Sequence, residues 1–315
     1  PPITLGPDVI AKVKEATEAI ARGTGVRGLI NIQFAYVSEN LFVIEANPRA
    51  SRTVPFVSKA TGVQLAKAAV MIGLGKSIAE LKAEGYLPDS MDGASLPQDT
   101  AIAVKAAVLP FSRFRTPEGV VVDSLLSPEM RSTGEVMGLD THYDTAFAKA
   151  QAGAGSPLPT EGKVFVSVAN HDKRNVIIYA KMLEQLGFEI VSTGGTADVL
   201  RRNGVNSTVA SKFAEANGQH SIVDMVRNGE IDLILNTPAG GAARSDGYEI
   251  RAAAVSVGCP VMTTISEFAA AVQAITALRE HSWGIISLQE HNEYLHTASS
   301  GEQEDNNQVR EGELS

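Results

Sequence analysis

The chain has 315 residues, 44% of them apolar, which is material for two domain cores at about 150 residues each. Its net charge of −9, with both signs scattered along the chain, excludes the basic face that nucleic acid requires, although a small phosphate ligand asks only for a local pocket. A lone cysteine, Cys259, excludes an internal disulfide framework and suits a reducing cytoplasm, and no apolar run approaches the roughly 18 residues of a membrane span.

The chain opens Pro1-Pro2-Ile3, without a methionine or a basic-then-apolar leader, so its true start is expected upstream. Asp8 can cap a helix whose apolar positions Val9, Val13, Ala16 and Ile20 keep helical spacing, with Gly23 as its stop. The period then changes. Gly28–Ala35 and Leu41–Ala46 are rich in Ile, Val, Leu and Phe and are joined by Val37-Ser38-Glu39-Asn40, which predicts a β-hairpin. Thr61-Gly62-Val63-Gln64 has capping-box spacing ahead of the apolar run Leu65–Leu74, and Ser77 to Glu80 repeats the device. Val104–Leu109 and Val120–Val122 read as strands, and Tyr143–Gln151 as a helix.

Around Ala152-Gly153-Ala154-Gly155-Ser156-Pro157-Leu158-Pro159 there is little to pack and there are several breakers. A linker is therefore predicted at 153–162, between a first part, 1–152, and a second, 163–290. The second part alternates strands (Val164–Val168, Phe188–Val191, Ile231–Leu235) with helices (Lys173–Leu186, Thr196–Asn203, Glu267–Leu278). Continuous apolar strands between amphipathic helices predict an α/β fold whose parallel sheet is covered on both faces. Residues 291–315 are predicted as a largely disordered tail, acidic and polar from Ser299.

Two places carry chemistry. Glu45 and Asn47 share one face of their strand because side chains alternate with period two, and a hairpin turning about Glu39 would bring Gln33 opposite Glu45. One carboxylate and two amide carbonyls at a strand end suit magnesium, which takes oxygen ligands and completes its shell with phosphates and water. Arg49 and Arg52 follow at once, and guanidinium forks match phosphate oxygens. Ordinary strand-end polar groups and solvated arginines explain the same spacing, so the pattern leaves both readings open. In the second part, Ser192-Thr193-Gly194-Gly195-Thr196 follows a strand and opens a helix, offering free backbone N–H groups and hydroxyls to an anion, with Lys173 and Lys212 able to add charge at the same strand ends. A bare strand-to-helix turn with solvated lysines is the competing reading.

The longer runs are more specific. Gly28-Leu29-Ile30-Asn31-Ile32-Gln33-Phe34-Ala35, then Ile44-Glu45-Ala46-Asn47-Pro48-Arg49-Ala50-Ser51-Arg52-Thr53-Val54-Pro55-Phe56 and Pro128-Glu129-Met130-Arg131-Ser132-Thr133-Gly134-Glu135, resemble the second ATP-grasp half of the carbamoyl-phosphate synthetase large-subunit family. The arrangement after residue 163 resembles the Rossmann-like, methylglyoxal-synthase-like regulatory domain that ends the same subunit. The resemblance implies the C-terminal part of an ATP-grasp lobe followed by that allosteric domain. It implies a cytoplasmic ligase that makes carbamoyl phosphate from bicarbonate, glutamine-derived ammonia and ATP for pyrimidine and arginine biosynthesis. Gln33, Glu45 and Asn47 would then hold Mg2+ or Mn2+ on ATP phosphates, and Arg49 and Arg52 would meet phosphate or carbamoyl phosphate. Lys173, Thr193, Gly195, Thr196 and Lys212 would grip the phosphate of a regulator such as UMP, with Asn236 and Thr237 near its base or ribose. A glutaminase small subunit would be a partner, and a homo-oligomer is compatible with the pattern.

Two departures qualify the resemblance. No glycine-rich phosphate loop or adenine lobe precedes residue 25, which implies that this chain alone is inactive. Pro238-Ala239-Gly240-Gly241 stands where hydroxyl- and arginine-bearing residues are expected. The rival readings are a free-standing methylglyoxal-synthase-type lyase, whose catalytic aspartates are missing from Ser211–Gly218, and a non-catalytic nucleotide-binding module. His171-Asp172 reads as a solvated loop pair, and Trp283, Tyr248 and Cys259 as packing residues.

Overall fold

The computed structural model describes residues 2–88, 101–110, 123–126, 130, 132–211, 221–238, 243–281 and 283–299. They form two compact units, Pro1–Ala101 with Gly284–Ser315, and Ile102–Trp283.

In the first unit, helix α1 (Pro7–Thr24) begins one residue before the expected cap: Gly6 is the N-cap, Pro7 opens the first turn, and Asp8 lies within it. Proline costs nothing there because the first N–H groups of a helix have no intrahelical partner. Strands β1 (Asn31–Val37) and β2 (Asn40–Asn47) form the predicted antiparallel hairpin. Its two-residue turn places Ser38 (φ 49°) and Glu39 (φ 66°) in the left-handed region that the twist of a tight hairpin demands. Helices α2 (Thr53–Thr61), α3 (Leu65–Gly73) and α4 (Ile78–Ala83) follow. The capping box forms at Ser77–Glu80 but not at Thr61–Gln64. Thr61 instead closes α2, and its hydroxyl donates to the Val57 carbonyl at 2.8 Å. Ala60, Val63, Ala68 and Leu81 are buried between these helices, with Val9 buried on α1. At the other end of the chain α11 (Leu288–Ser299) extends into the stretch expected as a tail. It buries His291, whose Nε2 lies 3.3 Å from the Ala60 carbonyl oxygen. Residues 300–315 lie outside the described residues.

In the second unit the strands β5 (Lys163–Ser167), β6 (Glu189–Ser192), β7 (Thr208–Val209), β8 (Leu233–Asn236) and β9 (Val261–Met262) form one parallel sheet in the order β7-β6-β5-β8-β9. Alternate residues point to opposite faces. Val164, Val166, Leu233 and Leu235 join one apolar cluster with residues of α6 (Lys173–Gln185), α7 (Gly194–Arg202) and α10 (Ile265–Glu280). Phe165 and Ile234 join another with α8 (Ile222–Arg227) and α9 (Ala243–Val257). Both faces are covered, as the run of apolar strands predicts.

The packing boundary differs from the compositional one. Strands β3 (Ile102–Val108) and β4 (Gly134–Asp140) pair antiparallel, and α5 (Tyr143–Gly153) crosses β4 so closely that a Cβ on Gly138 would lie 1.9 Å from the Ala146 carbonyl oxygen. Phe147 and Ala148 of α5 belong to the same cluster as Val164 and Phe268. Leu158, inside the predicted linker, is buried there too. Val104 of β3, Tyr143, Phe147 and Ala148 of α5, and Leu158 therefore pack with the sheet, because their apolar side chains complete its core. The predicted strand Val120–Val122 falls outside the described residues.

Candidate functional site

A two-residue turn at Ser38-Glu39 sets Val37 against Asn40, and unbroken pairing from there would put Gln33 opposite Ile44. The observed register has Phe34 opposite Val43 but Gln33 opposite Glu45, so one extra residue, Ile44, is accommodated in β2. That β-bulge re-aims the end of the hairpin. Directly opposed residues of an antiparallel pair share a face, so Gln33 and Glu45 are brought together. Asn47 joins them, its Nδ2 donating to Glu45 Oε1 at 3.0 Å. Beyond the strand, the Arg49 N–H donates to the Asn47 carbonyl at 2.8 Å and its Nη1 to the Ala50 carbonyl at 3.0 Å, a tight turn that leads into α2. Arg52, exposed, is the N-cap of α2 with φ −65° and ψ −19°. One carboxylate and two amides make an oxygen-only donor set that fits a hard divalent cation, and guanidinium groups follow within a few residues. Among the described residues no group of three or more His, Cys, Asp or Glu offers a rival metal site.

The second site gathers at the carboxyl ends of β5, β6 and β8. The sheet order reverses direction between β5 and β8, the place where open parallel sheets leave a crevice. Thr193 is the N-cap of α7 with an extended backbone, and its side chain makes no capping bond. Gly194 and Gly195 are exposed just after it. The Lys173 ammonium stands above this turn: a Cβ on Gly195 would sit 3.1 Å from its Nζ. Free helix N–H groups, bare glycine backbone and an ammonium are the kinds of donor an anion asks for.

The neighbouring hydroxyls knit the strand ends together. Thr196, 2% exposed, accepts from the Val168 N–H at 3.4 Å, and Thr193 lies 3.3 Å from the Ser167 hydroxyl. Thr237 accepts from the Ala169 N–H at 2.9 Å while its own N–H donates to the Ser167 carbonyl at 3.1 Å. Asn236 is buried and accepts from Arg251 Nη1 at 2.7 Å. Of the residues singled out from sequence, Lys173, Thr193, Gly195, Thr196, Asn236 and Thr237 thus meet at one edge of the sheet. Lys212 and Ala239–Gly241 lie outside the described residues, as does most of the Ser211–Gly218 stretch. Ser167 and Arg251 were not singled out. Ser167 could have been found as the residue ending an apolar strand, whereas a buried arginine leaves no local signal.

The residues read as quiet divide: Cys259 packs against the apolar cluster beneath the sheet, His171 is solvated, and Trp283, expected as a packing residue, is 39% exposed. His171 is exposed and lies 3.4 Å from the Asp172 carboxylate. Cys259 donates to the Ile231 carbonyl at 3.4 Å, and burial pushes its thiol up to about 12.

Comparison with known proteins separates the same two regions. A family model described as "Carbamoyl-phosphate synthase L chain, ATP binding domain" matches residues 1–81, which hold the hairpin site, and one described as "MGS-like domain" matches residues 175–263, which hold most of the second. Over 304 residues the chain is 67% identical to the carbamoyl phosphate synthase large chain of Kocuria rhizophila, an alignment that takes in 96% of this chain and 28% of that one. In sequence it is a close relative of the carbamoyl phosphate synthase large chain. The counterpart from Pseudarthrobacter chlorophenolicus is 68% identical over 295 residues (92% of this chain, 27% of that one). The one from Streptomyces coelicolor is 57% identical over 298 residues (94% and 27%). The chain thus spans little more than a quarter of the length of these relatives. The predicted fold class, the end of an ATP-binding region followed by a parallel-sheet domain of the MGS-like kind, is borne out. No helix among the described residues is long and apolar enough to cross a membrane.

Proposed function

We propose that this chain supplies two working parts of an ATP-dependent, cytoplasmic carbamoyl phosphate synthase: the metal and phosphate face of the carbamate-phosphorylating step, and a regulatory nucleotide site. The observation that carries the first is the bulge that puts Gln33 opposite Glu45 with Asn47 bonded to the same carboxylate. When bound there, Mg2+ or Mn2+ would neutralise charge on the ATP phosphates, which is most of what phosphoryl transfer needs. Gln33, Glu45 and Asn47 would hold the ion. Arg49 and Arg52 would orient phosphate or carbamoyl phosphate oxygens. A glutaminase small subunit would deliver the ammonia. In the second part, Lys173, Thr193, Gly195, Thr196 and Lys212 would grip the phosphate of a nucleotide, UMP being the first choice, with Asn236 and Thr237 toward the ribose or base.

The deciding experiment is Glu45→Gln in the full-length large chain with its small subunit. Carbamoyl phosphate synthesis should fall by several orders of magnitude while glutamine hydrolysis survives, since a metal-held charge contributes several kcal/mol to such steps, on the order of a thousandfold or more. Near-normal synthesis would remove Glu45 from the metal set.

A further inference from the structure

Arg251 is fully buried in the middle of α9, and its guanidinium bonds both Asp123 and Asn236. Nε and Nη2 donate to the two carboxylate oxygens of Asp123, each at 2.7 Å, in a bidentate pair. Nη1 donates to Asn236 Oδ1 at 2.7 Å. Gly247 makes room for this: a Cβ there would lie 2.2 Å from Arg251 Nη1 and 2.5 Å from Asn236 Oδ1. Asp123 stands in the connection between β3 and β4, far from the strand ends in sequence, and its Oδ1 also accepts the Leu125 N–H at 3.0 Å.

The chemistry of this chain of bonds is one-directional. An arginine only donates, so the Asn236 atom that meets it must be the amide oxygen. The Asn236 NH2 is thereby turned the other way, toward the Ser167 carbonyl at 3.5 Å, where the ends of β5 and β8 pair. A buried ion pair of this kind adds little net stability over a well-packed apolar trio, because desolvation offsets most of its attraction. What it does supply is fixed orientation across two segments.

We propose that the Asp123–Arg251–Asn236 chain is the link through which the nucleotide site and the Asp123–Leu125 segment sense each other, with Arg251 as a positioning residue for Asn236. The proposal rests on the reading that β5, β6 and β8 end in a nucleotide site. A ligand that engages the Asn236 NH2 tightens the amide against Arg251, and Arg251 tightens Asp123. Linkage makes the effect reciprocal: whatever loosens Asp123 must weaken the ligand by the same factor.

The test uses the whole chain and UMP. Hydrogen exchange at the Leu125 amide should slow several-fold when UMP binds, and the slowing should vanish in Arg251→Lys, which keeps the charge but cannot reach both partners in a planar fork. Asp123→Asn should weaken UMP five- to tenfold by calorimetry. Combined with Asn236→Ala it should weaken UMP no further than Asn236→Ala alone, because both act on one chain of bonds. UMP binding that leaves Leu125 exchange unchanged, or losses that simply multiply in the double variant, overturns the link while leaving the nucleotide site standing. No UMP binding by the unaltered chain overturns the site and the link together. The exchange comparison on the unaltered chain needs no substitution, so it decides even if Asp123→Asn fails to fold.

Discussion

The hairpin unit and the sheet unit place their chemistry on opposite kinds of support. In the sheet unit, rows of Val, Ile and Leu from β5, β6 and β8 are buried on both faces, so polar groups can gather only where the strands end. In the hairpin unit, among the described residues, the buried apolar side chains are Val9, Ala60, Val63, Ala68 and Leu81. The hairpin itself leaves Phe42 55% and Ile44 63% exposed. Its oxygen donors sit on an open face and owe their convergence to one bulge. The proposed phosphate corner stands on a packed core, while the proposed metal face depends on local backbone geometry.

The sharpest probe of that difference is Cys259, which reports on the sheet unit alone. Burial, with Asp232 adding a smaller push, raises its thiol to about 12 from an ordinary value of 9.0. At pH 8 that shift alone leaves about a thousandfold less thiolate than in the unfolded chain, and thiolate is the reactive form. Labelling by a thiol-specific reagent at pH 8 should therefore be slow in the native chain and accelerate strongly when the sheet unit unfolds in denaturant. Rapid labelling of the native chain would mean that the sheet unit does not shield Cys259 as its packing implies.

Substitution should split the units by energy. Phe165, fully buried on β5, should cost about 3–5 kcal/mol on truncation to alanine, through lost transfer energy and the cavity left behind. Phe42→Ala should change stability by no more than about 0.5 kcal/mol, as for other exposed positions. Urea unfolding followed by circular dichroism gives both. Similar costs would erase the contrast. Within the sheet unit, Thr196→Ala should weaken UMP about tenfold by calorimetry, the loss of one charge-assisted bond at a helix N-terminus. Unchanged affinity would put the phosphate elsewhere.

What sequence could and could not reveal follows the same division. The hairpin, the helices after Ser77 and Lys173, and the parallel strands β5, β6 and β8 were legible because each is written in local period and capping, whereas the two-residue strands β7 and β9 are too short to show a period. The bulge at Ile44 was not, since nothing in Val43-Ile44-Glu45 distinguishes a bulged residue from a regular one. Helix α2 escaped because Pro55 suggests a break, although proline is tolerated in a first turn. Strand β4 escaped because Gly134 and Gly138 dilute its pattern, the second being required by the close crossing of α5. The linker stretch around Ala152–Pro159 looked like a boundary, but packing is decided by where Phe147 and Leu158 find apolar partners, and that is a tertiary fact. Arg251 sits among alanines on α9 and declares its role only once Asp123, 128 positions away in sequence, is beside it.

The smallest expected effect concerns Glu267, in the first turn of α10. Burial pushes its carboxyl above the ordinary value of 4.5, with the Thr263 N–H bond to Oε2 at 3.1 Å pulling partly the other way. A carboxyl whose folded-state pKa is raised binds its proton more tightly in the folded chain than in the unfolded one. Its charged form therefore subtracts from stability above the raised value, and the penalty is relieved as pH falls through that value toward 4.5. Glu267→Gln keeps an acceptor for Thr263 and leaves the Thr264 cap on the residue 267 N–H in place, while removing the charge. It should raise the melting temperature of the sheet unit at pH 7 and lose that advantage at pH 4, where the wild-type carboxyl is itself protonated. A lower melting temperature at pH 7 would mean that the favourable field of the α10 N-terminus outweighs the cost of burying the charge. In that case the first turn of α10 would be held by electrostatics, unlike the apolar packing that holds the rest of the sheet unit.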